Sequence, residues 1–237
     1  MATIYNLGSM MEKRTSKEII EELLGPFEGA QIIDVGCGEG HLTRMLTRLG
    51  AHVTGIEVSP RALARARAAE PVGDERYMQG LAEDLPVKSR SADIVIFLNS
   101  FHHVDEQGQP RALKEAARVL KEGGILFISE PLPEGPYFQL MRVAHDETVV
   151  RNRAQEVLRH AAEVKLLLEK TFTHIDTVKL KDFEFFHDRI TAINPQTRAA
   201  FIEHEATIRD NFETLGCKVD DHWEFDQPTR VHVFRRS

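Results

Sequence analysis

The chain has 237 residues, which is enough for one domain with a full hydrophobic core. Apolar residues make up 42% of the sequence and charged residues 28%, the profile of a globular protein in water. The net charge of −7 argues against a nucleic-acid-binding protein, which would carry a basic excess. The sequence has no apolar stretch long enough to predict a membrane span, so we expect no membrane association.

The cysteines and the N-terminus bear on the cellular compartment. Cys37 falls in a predicted ligand-binding turn and Cys217 at a predicted helix end, so we expect both to be free thiols in a reducing compartment. Residues 1–5 lack the basic segment and the apolar run of a signal peptide. We therefore expect a cytoplasmic protein. The sequence does not predict its oligomeric state.

Strands and helices are predicted to alternate over the first half of the chain. A capped helix comes first, beginning near Thr15 and ending before Gly25. Repeated strand–helix units then predict a parallel, doubly wound sheet with helices on both faces. The predicted strands are 31–35, 52–58, 76–79, 92–98 and 125–129, and the helices between them begin near residues 41, 59 and 110.

The pattern changes after residue 130, where prolines and glycines mark a loop. Helical patterns are predicted at 137–151 and 154–170, a strand at 174–186 and a further helix at 196–215. A terminal strand is predicted at 230–235. Pairing of the last two strands would give an antiparallel edge on an otherwise parallel sheet.

Three glycines at alternate positions follow the first predicted strand. The stretch reads Asp34-Val35-Gly36-Cys37-Gly38-Glu39-Gly40, and a helical pattern begins directly afterwards. Glycine permits positive φ and close approach of a ligand, and such a strand–turn–helix unit is where α/β sheets bind nucleotide-like ligands. A dinucleotide-binding turn would have Gly or Ala where this chain has His41, which argues against NAD or FAD.

Glu57 stands at the end of the second predicted strand. A carboxylate there can accept hydrogen bonds from both hydroxyls of a ribose. An acid at this position suits NAD as well, so it predicts an adenosine ligand rather than one particular cofactor. The alternative is a strand-end acid that is simply solvated.

The glycine turn, Glu57 and two later segments resemble class I S-adenosylmethionine (SAM)-dependent methyltransferases, in particular the small-molecule enzymes of menaquinone and ubiquinone biosynthesis. The later segments are Gly80-Leu81-Ala82-Glu83-Asp84-Leu85-Pro86 and the loop from Asn99 to Val104. The family usually has an acid where this chain has Leu81, so one polar contact to adenine is expected to be missing. The loop also lacks the Pro-Pro sequence that is typical of enzymes methylating nucleobase or glutamine nitrogens.

The resemblance implies SAM as cofactor. It places the glycine turn beneath the methionine part of SAM, with Asp34 helping to hold the amino group, Glu57 on the ribose and Asn99 close to the sulfonium. The cofactor-binding residues implied are Asp34, Gly36, Cys37, Gly38, Gly40, Glu57, Val58, Leu81, Ala82, Glu83 and Asn99.

The implied fold is α/β and Rossmann-like: a doubly wound, mainly parallel sheet of seven strands with an antiparallel terminal strand and helical lid insertions. We expect a single domain over residues 1–237, with its SAM-binding core at 28–130. The segments 1–27, 131–170 and 187–216 are expected to supply the lid and the substrate pocket.

His102 and His103 are the candidate catalytic pair. An imidazole titrates near neutrality and could take a proton from the attacking group, although adjacent histidines are common in this loop of the family. Glu130 and His145 compete for the role of base. No group of His and Cys has the spacing of a metal site, so no metal is predicted.

The sequence thus predicts transfer of a methyl group from SAM to an O, N, S or C nucleophile of a small molecule, leaving S-adenosylhomocysteine (SAH). Two alternatives stay open: an NAD(P)-dependent oxidoreductase on a similar sheet, and a SAM-binding partner protein without catalysis. A protein or peptide acceptor is a further possibility. The acceptor itself is not predicted, because the lid segments that would bind it differ most among family members.

Overall fold

The computed structural model describes residues 11–237. The expectation about a signal peptide and the first ten residues of the 1–27 segment lie outside them. The described part forms an α/β fold around one mixed sheet, which confirms the predicted fold class. Its strands are β1 (Gln31–Val35), β2 (His52–Glu57), β3 (Arg76–Gln79), β4 (Ala92–Leu98), β5 (Leu120–Pro131), β6 (Leu166–Leu180), β7 (Cys217–Val219) and β8 (His222–Arg236).

The helices of the described residues pack on both faces of this sheet and beyond its end. They are α1 (Ser16–Leu24), α2 (His41–Arg48), α3 (Pro60–Ala68), α4 (Gln109–Val119), α5 (Pro136–Met141), α6 (Thr148–Leu158), α7 (Phe183–Thr191), α8 (Pro195–Glu203) and α9 (Glu205–Leu215). None of them is long and apolar enough to cross a membrane.

The strand order is β3-β2-β1-β4-β5-β8-β6, with the short strand β7 paired to β8 outside this path. Strands β1 to β5 are parallel, and β8 runs antiparallel between β5 and β6. The predicted seven strands and antiparallel end are therefore present, and β7 adds an eighth strand. Because the order reverses between β1 and β4, the carboxyl ends of these two strands border a crevice where α/β sheets bind ligands.

Alternating side chains of the central strands enter two separate cores, one on each face of the sheet. Val95 and Phe97 pack on one face with the inner sides of α4 and α6. Ile94 and Ile96 pack on the other face with α1 and α2. These residues are 5% exposed or less, which explains why β4 reads as a continuous apolar run rather than an alternating one.

A third apolar cluster holds the lid together. Phe183 and Phe186 of α7 contact Phe212 of α9, with ring centroids 5.5 and 5.8 Å apart. Tyr137 and Leu140 of α5 belong to the same cluster, so the segments after β5 and after β6 form one packed unit. The cluster lies beside the first residues of β8, and the role of these helices as a lid stays a prediction.

The structure corrects several predicted element boundaries in the second half. Residues 166–170, predicted as helix, begin the long strand β6, because pairing with β8 continues from Leu180 back to Leu166. Phe183 and Phe186, predicted at the end of a strand, lie in α7, which begins where the Asp182 side chain accepts a hydrogen bond from the Phe185 amide. The helix predicted at 196–215 is two helices, α8 and α9.

Candidate active site

Two cavities adjoin at the carboxyl edge of the parallel strands. The first, of about 320 Å³, lies over the ends of β1, β2 and β4. The second, of about 390 Å³, lies between the end of β5 and the lid. Asn99 and His103 line both cavities. The loop that follows β4 is therefore the wall between them.

Most of the residues predicted to bind the cofactor border the first cavity. Its lining includes Gly36, Glu57, Val58, Leu81, Ala82, Glu83 and Asn99. The other four predicted residues, Asp34, Cys37, Gly38 and Gly40, do not line it. These four residues determine the conformation of the glycine turn.

The glycine turn needs its glycines for different reasons. Gly36, Gly38 and Gly40 all have positive φ, between 54° and 77°. A Cβ at Gly36 would lie 2.5 Å from the Ser100 Cβ, and one at Gly40 would lie 2.5 Å from the Tyr77 hydroxyl. A Cβ at Gly38 would meet no protein atom within 4 Å. Neighbouring side chains thus require glycine at Gly36 and Gly40, whereas only the backbone conformation requires it at Gly38.

Asp34 and Cys37 are buried behind the turn. The Asp34 carboxyl is 2% exposed and accepts a hydrogen bond from the Thr43 hydroxyl at 2.7 Å. Burial raises the pKa of Asp34 to about 6. Burial also raises the pKa of the Cys37 thiol to about 12, so this thiol is not a nucleophile at neutral pH. Asp34 ties β1 to the first turn of α2 and fixes the glycine turn between them.

Glu57 forms the side of the first cavity at the end of β2. One of its carboxylate oxygens accepts the Gly38 amide at 2.9 Å, and the other accepts the Ser59 amide at 2.8 Å. Each oxygen keeps a lone pair for a further donor. The carboxylate is thus fixed in place by the backbone while it lines the cavity, as ribose binding requires.

Two large apolar side chains are exposed in the same cavity. Val58 is 57% exposed and Leu81 is 47% exposed. Ala82 lies beside them in the lining. Exposed apolar surface in a concave site favours a flat apolar ligand group. The departure at Leu81 therefore gives the site an apolar contact surface in place of the missing acid.

Glu130, at the end of β5, holds the loop after β4. Its Oε1 accepts the amides of Ser100 and Phe101 at 3.0 and 2.8 Å. Its Oε2 accepts the His102 amide at 3.2 Å and also the His102 Nδ1–H. The carboxylate is 1% exposed and all its bonds serve this loop, so Glu130 anchors the loop.

The two predicted catalytic histidines occupy different surroundings. His102 is 4% exposed, and although burial opposes its protonation, the charge and hydrogen bond of Glu130 raise its pKa above the ordinary value. His103 is exposed and faces both cavities, and partial desolvation by the cavity walls lowers its pKa, with the neighbouring His102 acting in the same direction. The two rings lie with their centroids 3.9 Å apart.

The second cavity is lined largely by the lid. Residues from α5, α6, α7 and β8 face it, among them Tyr137, Met141, Arg151, Ile190 and Gln227. At one side lies a buried ion pair in which the Arg151 guanidinium donates to Glu147 Oε2 at 3.0 and 2.7 Å. Arg151 also donates to the Leu132 carbonyl at 3.1 Å, which ties α6 to the segment after β5.

Sequence reasoning did not single out Glu147 and Arg151. Two charged residues four apart at the start of a helix are most often a solvated pair, and their burial depends on elements distant in the sequence. Ser100 was also missed, although its hydroxyl donates to the Val35 carbonyl at 2.7 Å and locks the loop against β1. Glu130 and His145 were both considered as bases. The structure makes Glu130 the loop anchor, and the His145 ring lies 3.1 Å from Glu147 Oε1.

Comparison with known proteins supports the resemblance found in the sequence. Residues 33–128 match the family of methyltransferase domains. Over 114 residues the chain is 35% identical to malonyl-[acyl-carrier protein] O-methyltransferase of Pectobacterium atrosepticum, covering 48% of this chain and 44% of that protein. Over 107 residues it is 36% identical to the ubiquinone biosynthesis O-methyltransferase of Caulobacter vibrioides, covering 44% of this chain and 42% of that protein. The chain spans less than half the length of these curated relatives.

The similarity of fold extends further than the similarity of sequence. A crystal structure of a proposed methyltransferase from Bacillus halodurans superposes with a TM-score of 0.64 at 19% identity. The superposition covers 93% of this chain and 98% of that one. The lid and the antiparallel strands therefore share this fold along with the core.

The glycine turn leads to a first prediction. Gly36→Ala and Gly38→Ala each place a side chain at positive φ, which costs about 1–2 kcal/mol. Gly36→Ala should be clearly the more destabilising of the two, because only its Cβ collides with Ser100. Urea denaturation of both variants measures the difference. Equal losses of stability would show that Ser100 does not confine the turn.

The role of Glu130 leads to a second prediction. In Glu130→Gln the remaining carbonyl oxygen can still accept the amides of Ser100 and Phe101. The new NH₂ group, however, faces the amide and the Nδ1–H of His102, which are donors themselves. We expect it to lower the free energy of unfolding by about 1–3 kcal/mol, the cost of leaving buried donors unpaired. Glu156→Gln, which breaks an exposed pair with Arg159, is the matched control and should change stability by less than about 0.5 kcal/mol. Equal effects in the two variants would contradict an anchoring role.

Proposed function

We propose that this chain, whose core at residues 33–128 is a methyltransferase domain, transfers a methyl group from SAM to a small-molecule acceptor and releases SAH. The observation that carries the proposal is the pair of adjoining cavities that share Asn99 and His103. A donor in the first cavity and an acceptor in the second would meet at this wall. Transfer of a methyl group requires such a contact between two separate ligands.

The first cavity fits SAM. Glu57 offers two fixed carboxylate oxygens for ribose hydroxyls. Val58 and Leu81 offer exposed apolar surface for the adenine ring. Asn99, at the end of β4, has positive φ (53°), which turns the loop across the opening to the second cavity. The direct roles in binding remain predictions for these residues.

SAM supplies a methyl group that is already activated by a positively charged sulfur. The protein's task is to align the attacking atom with that methyl and to exclude water, and such positioning is worth up to about 7–11 kcal/mol in the best cases. The anchored loop fixes the near side of the opening, and the lid residues Tyr137, Met141 and Ile190 enclose the far side. His102 and His103 lie at the junction, and their catalytic role stays a prediction.

We propose an oxygen of the acceptor as the methylated atom, supported by the two O-methyltransferases that the core resembles. The second cavity, of about 390 Å³, suits a small molecule rather than a folded protein or a nucleic acid. A cytoplasmic location is proposed on the two free thiols, Cys37 and Cys217.

Binding of the donor gives a third prediction. Titration calorimetry should show that SAM and SAH bind while NAD does not, and Glu57→Ala should weaken SAH binding at least tenfold, about 1.4 kcal/mol, because it removes two charged acceptors. Glu39→Gln is the control, since Glu39 lies on the same turn but pairs with Arg65 at the surface. Tighter binding of NAD than of SAM would contradict the proposed methyltransferase function. If the Glu57→Ala variant binds SAH as tightly as the control does, Glu57 is not a ribose ligand.

A further inference from the structure

Three potential metal ligands come together at the wall of the second cavity. One nitrogen each from His102 and His103 and one carboxylate oxygen of Glu147 lie within 4.8 Å of one another. All three residues line the second cavity, and His103 lines both. The sequence could not show this group, because Glu147 comes from the lid, more than forty residues after the histidines.

The His102 ring is oriented as metal-binding histidines are. Its Nδ1–H donates to Glu130, so in the neutral ring the lone pair is on Nε2. Nε2 faces Glu147 Oε1 across 4.0 Å. That gap is too long for a hydrogen bond, yet an ion at the usual distance of about 2.0–2.2 Å from nitrogen and oxygen ligands can contact both atoms. A carboxylate on the far nitrogen is the regular outer partner of such a ligand.

Glu147 is also held with one oxygen directed toward the site. Arg151 occupies Oε2 with two hydrogen bonds, so Oε1 is turned toward the histidines. His145 Nε2 lies 3.1 Å from the same Oε1, which keeps a lone pair for an ion. The His103 nitrogen lies within 4.8 Å of the other two ligand atoms, so this ring has to turn toward them when an ion binds.

We propose that His102, His103 and Glu147 bind a divalent transition-metal ion at the wall between the two cavities. Two imidazoles and one carboxylate favour Zn²⁺, Mn²⁺ or Co²⁺ over Mg²⁺ and Ca²⁺, which prefer oxygen ligands. All three ligands line the second cavity, where the acceptor is proposed to bind. The ion is therefore placed to hold an oxygen of the acceptor, a role that rests on the proposed function.

The charges of the site suit a cation with an oxygen ligand. With both imidazoles neutral, as metal binding requires, Glu130 and Glu147 bring two negative charges and Arg151 brings one positive charge, so the cluster has a net negative charge before an ion binds. A bound dication would lower the pKa of an acceptor hydroxyl, as it does for bound water. The hydroxyl proton would pass to solvent water, the O–CH₃ bond would form as the S–CH₃ bond breaks, and neutral SAH would leave.

Zinc titration tests the site without knowledge of the acceptor. The tag-free full chain, treated with chelator and carrying Cys217→Ser to remove the exposed thiol, is titrated with ZnCl₂ by calorimetry. We expect one ion per chain, and binding at least tenfold weaker in His103→Gln and in Glu147→Gln. His160→Gln is the control, because His160 pairs with Glu163 at the surface with 60% of its side chain exposed. It should bind zinc as the parent does.

Two further measurements separate the outcomes. Circular dichroism and urea denaturation show whether each variant is folded. Because His103 is exposed, its substitution should affect folding less than that of the buried Glu147. Visible absorption of Co²⁺ reports whether nitrogen ligands surround the ion, and the parent band should be lost in both site variants. Absence of zinc uptake by the parent, or equal uptake in the site variants and the control, would overturn the proposal. SAH calorimetry on the same samples tests the methyltransferase function separately.

Discussion

The carboxylate of Glu130 determines where the two cavities meet. Strands β4 and β5 run parallel, so their carboxyl ends lie side by side, and the chain leaving β4 must cross the end of β5. Without Glu130, three consecutive backbone amides in that crossing would have no hydrogen-bond acceptor. The Glu130 carboxylate accepts a hydrogen bond from each of them. Because the loop is fixed in this way, Asn99 and His103 are held at the junction rather than free to move with the lid.

Glu57 has a similar role at the end of β2. Its carboxylate binds the amides of Gly38 and Ser59, which begin two different connections at the sheet edge. A single acid at a strand end thus shapes the glycine turn and lines the ligand cavity. Asp34 and Cys37 are buried behind the turn.

The sequence predicted the core well, because its signals are local. The predicted bounds of β1, β3 and β4 agree with the structure, because a short apolar run between polar turns predicts a strand unambiguously. At β5 the prediction was wrong at its start: Gly123 and Gly124 suggest a helix end, yet the strand already begins at Leu120. Leu120 pairs with Ala92 of β4, and a register shift separates this pair from Ile94 and Ile125; such long-range pairing leaves no local pattern.

The lid and the acceptor side were harder to predict for the same reason. The apolar residues Leu167 and Leu168 suggested a buried helix, but they lie on the edge strand β6 and are about half exposed. The wall of the second cavity combines His103 with residues of α5, α6 and α7, which come together only in the folded chain. The pair of histidines was found by resemblance, whereas their division into an anchored and an accessible ring depends on Glu130.

A crystal structure of the chain with SAH bound tests the central claim most directly. We expect the ribose hydroxyls on the Glu57 carboxylate and the sulfur at the junction bordered by Asn99 and His103, with Glu130 still bonded to the loop. A nucleoside bound away from Glu57, or a sulfur that does not face the second cavity, would contradict it.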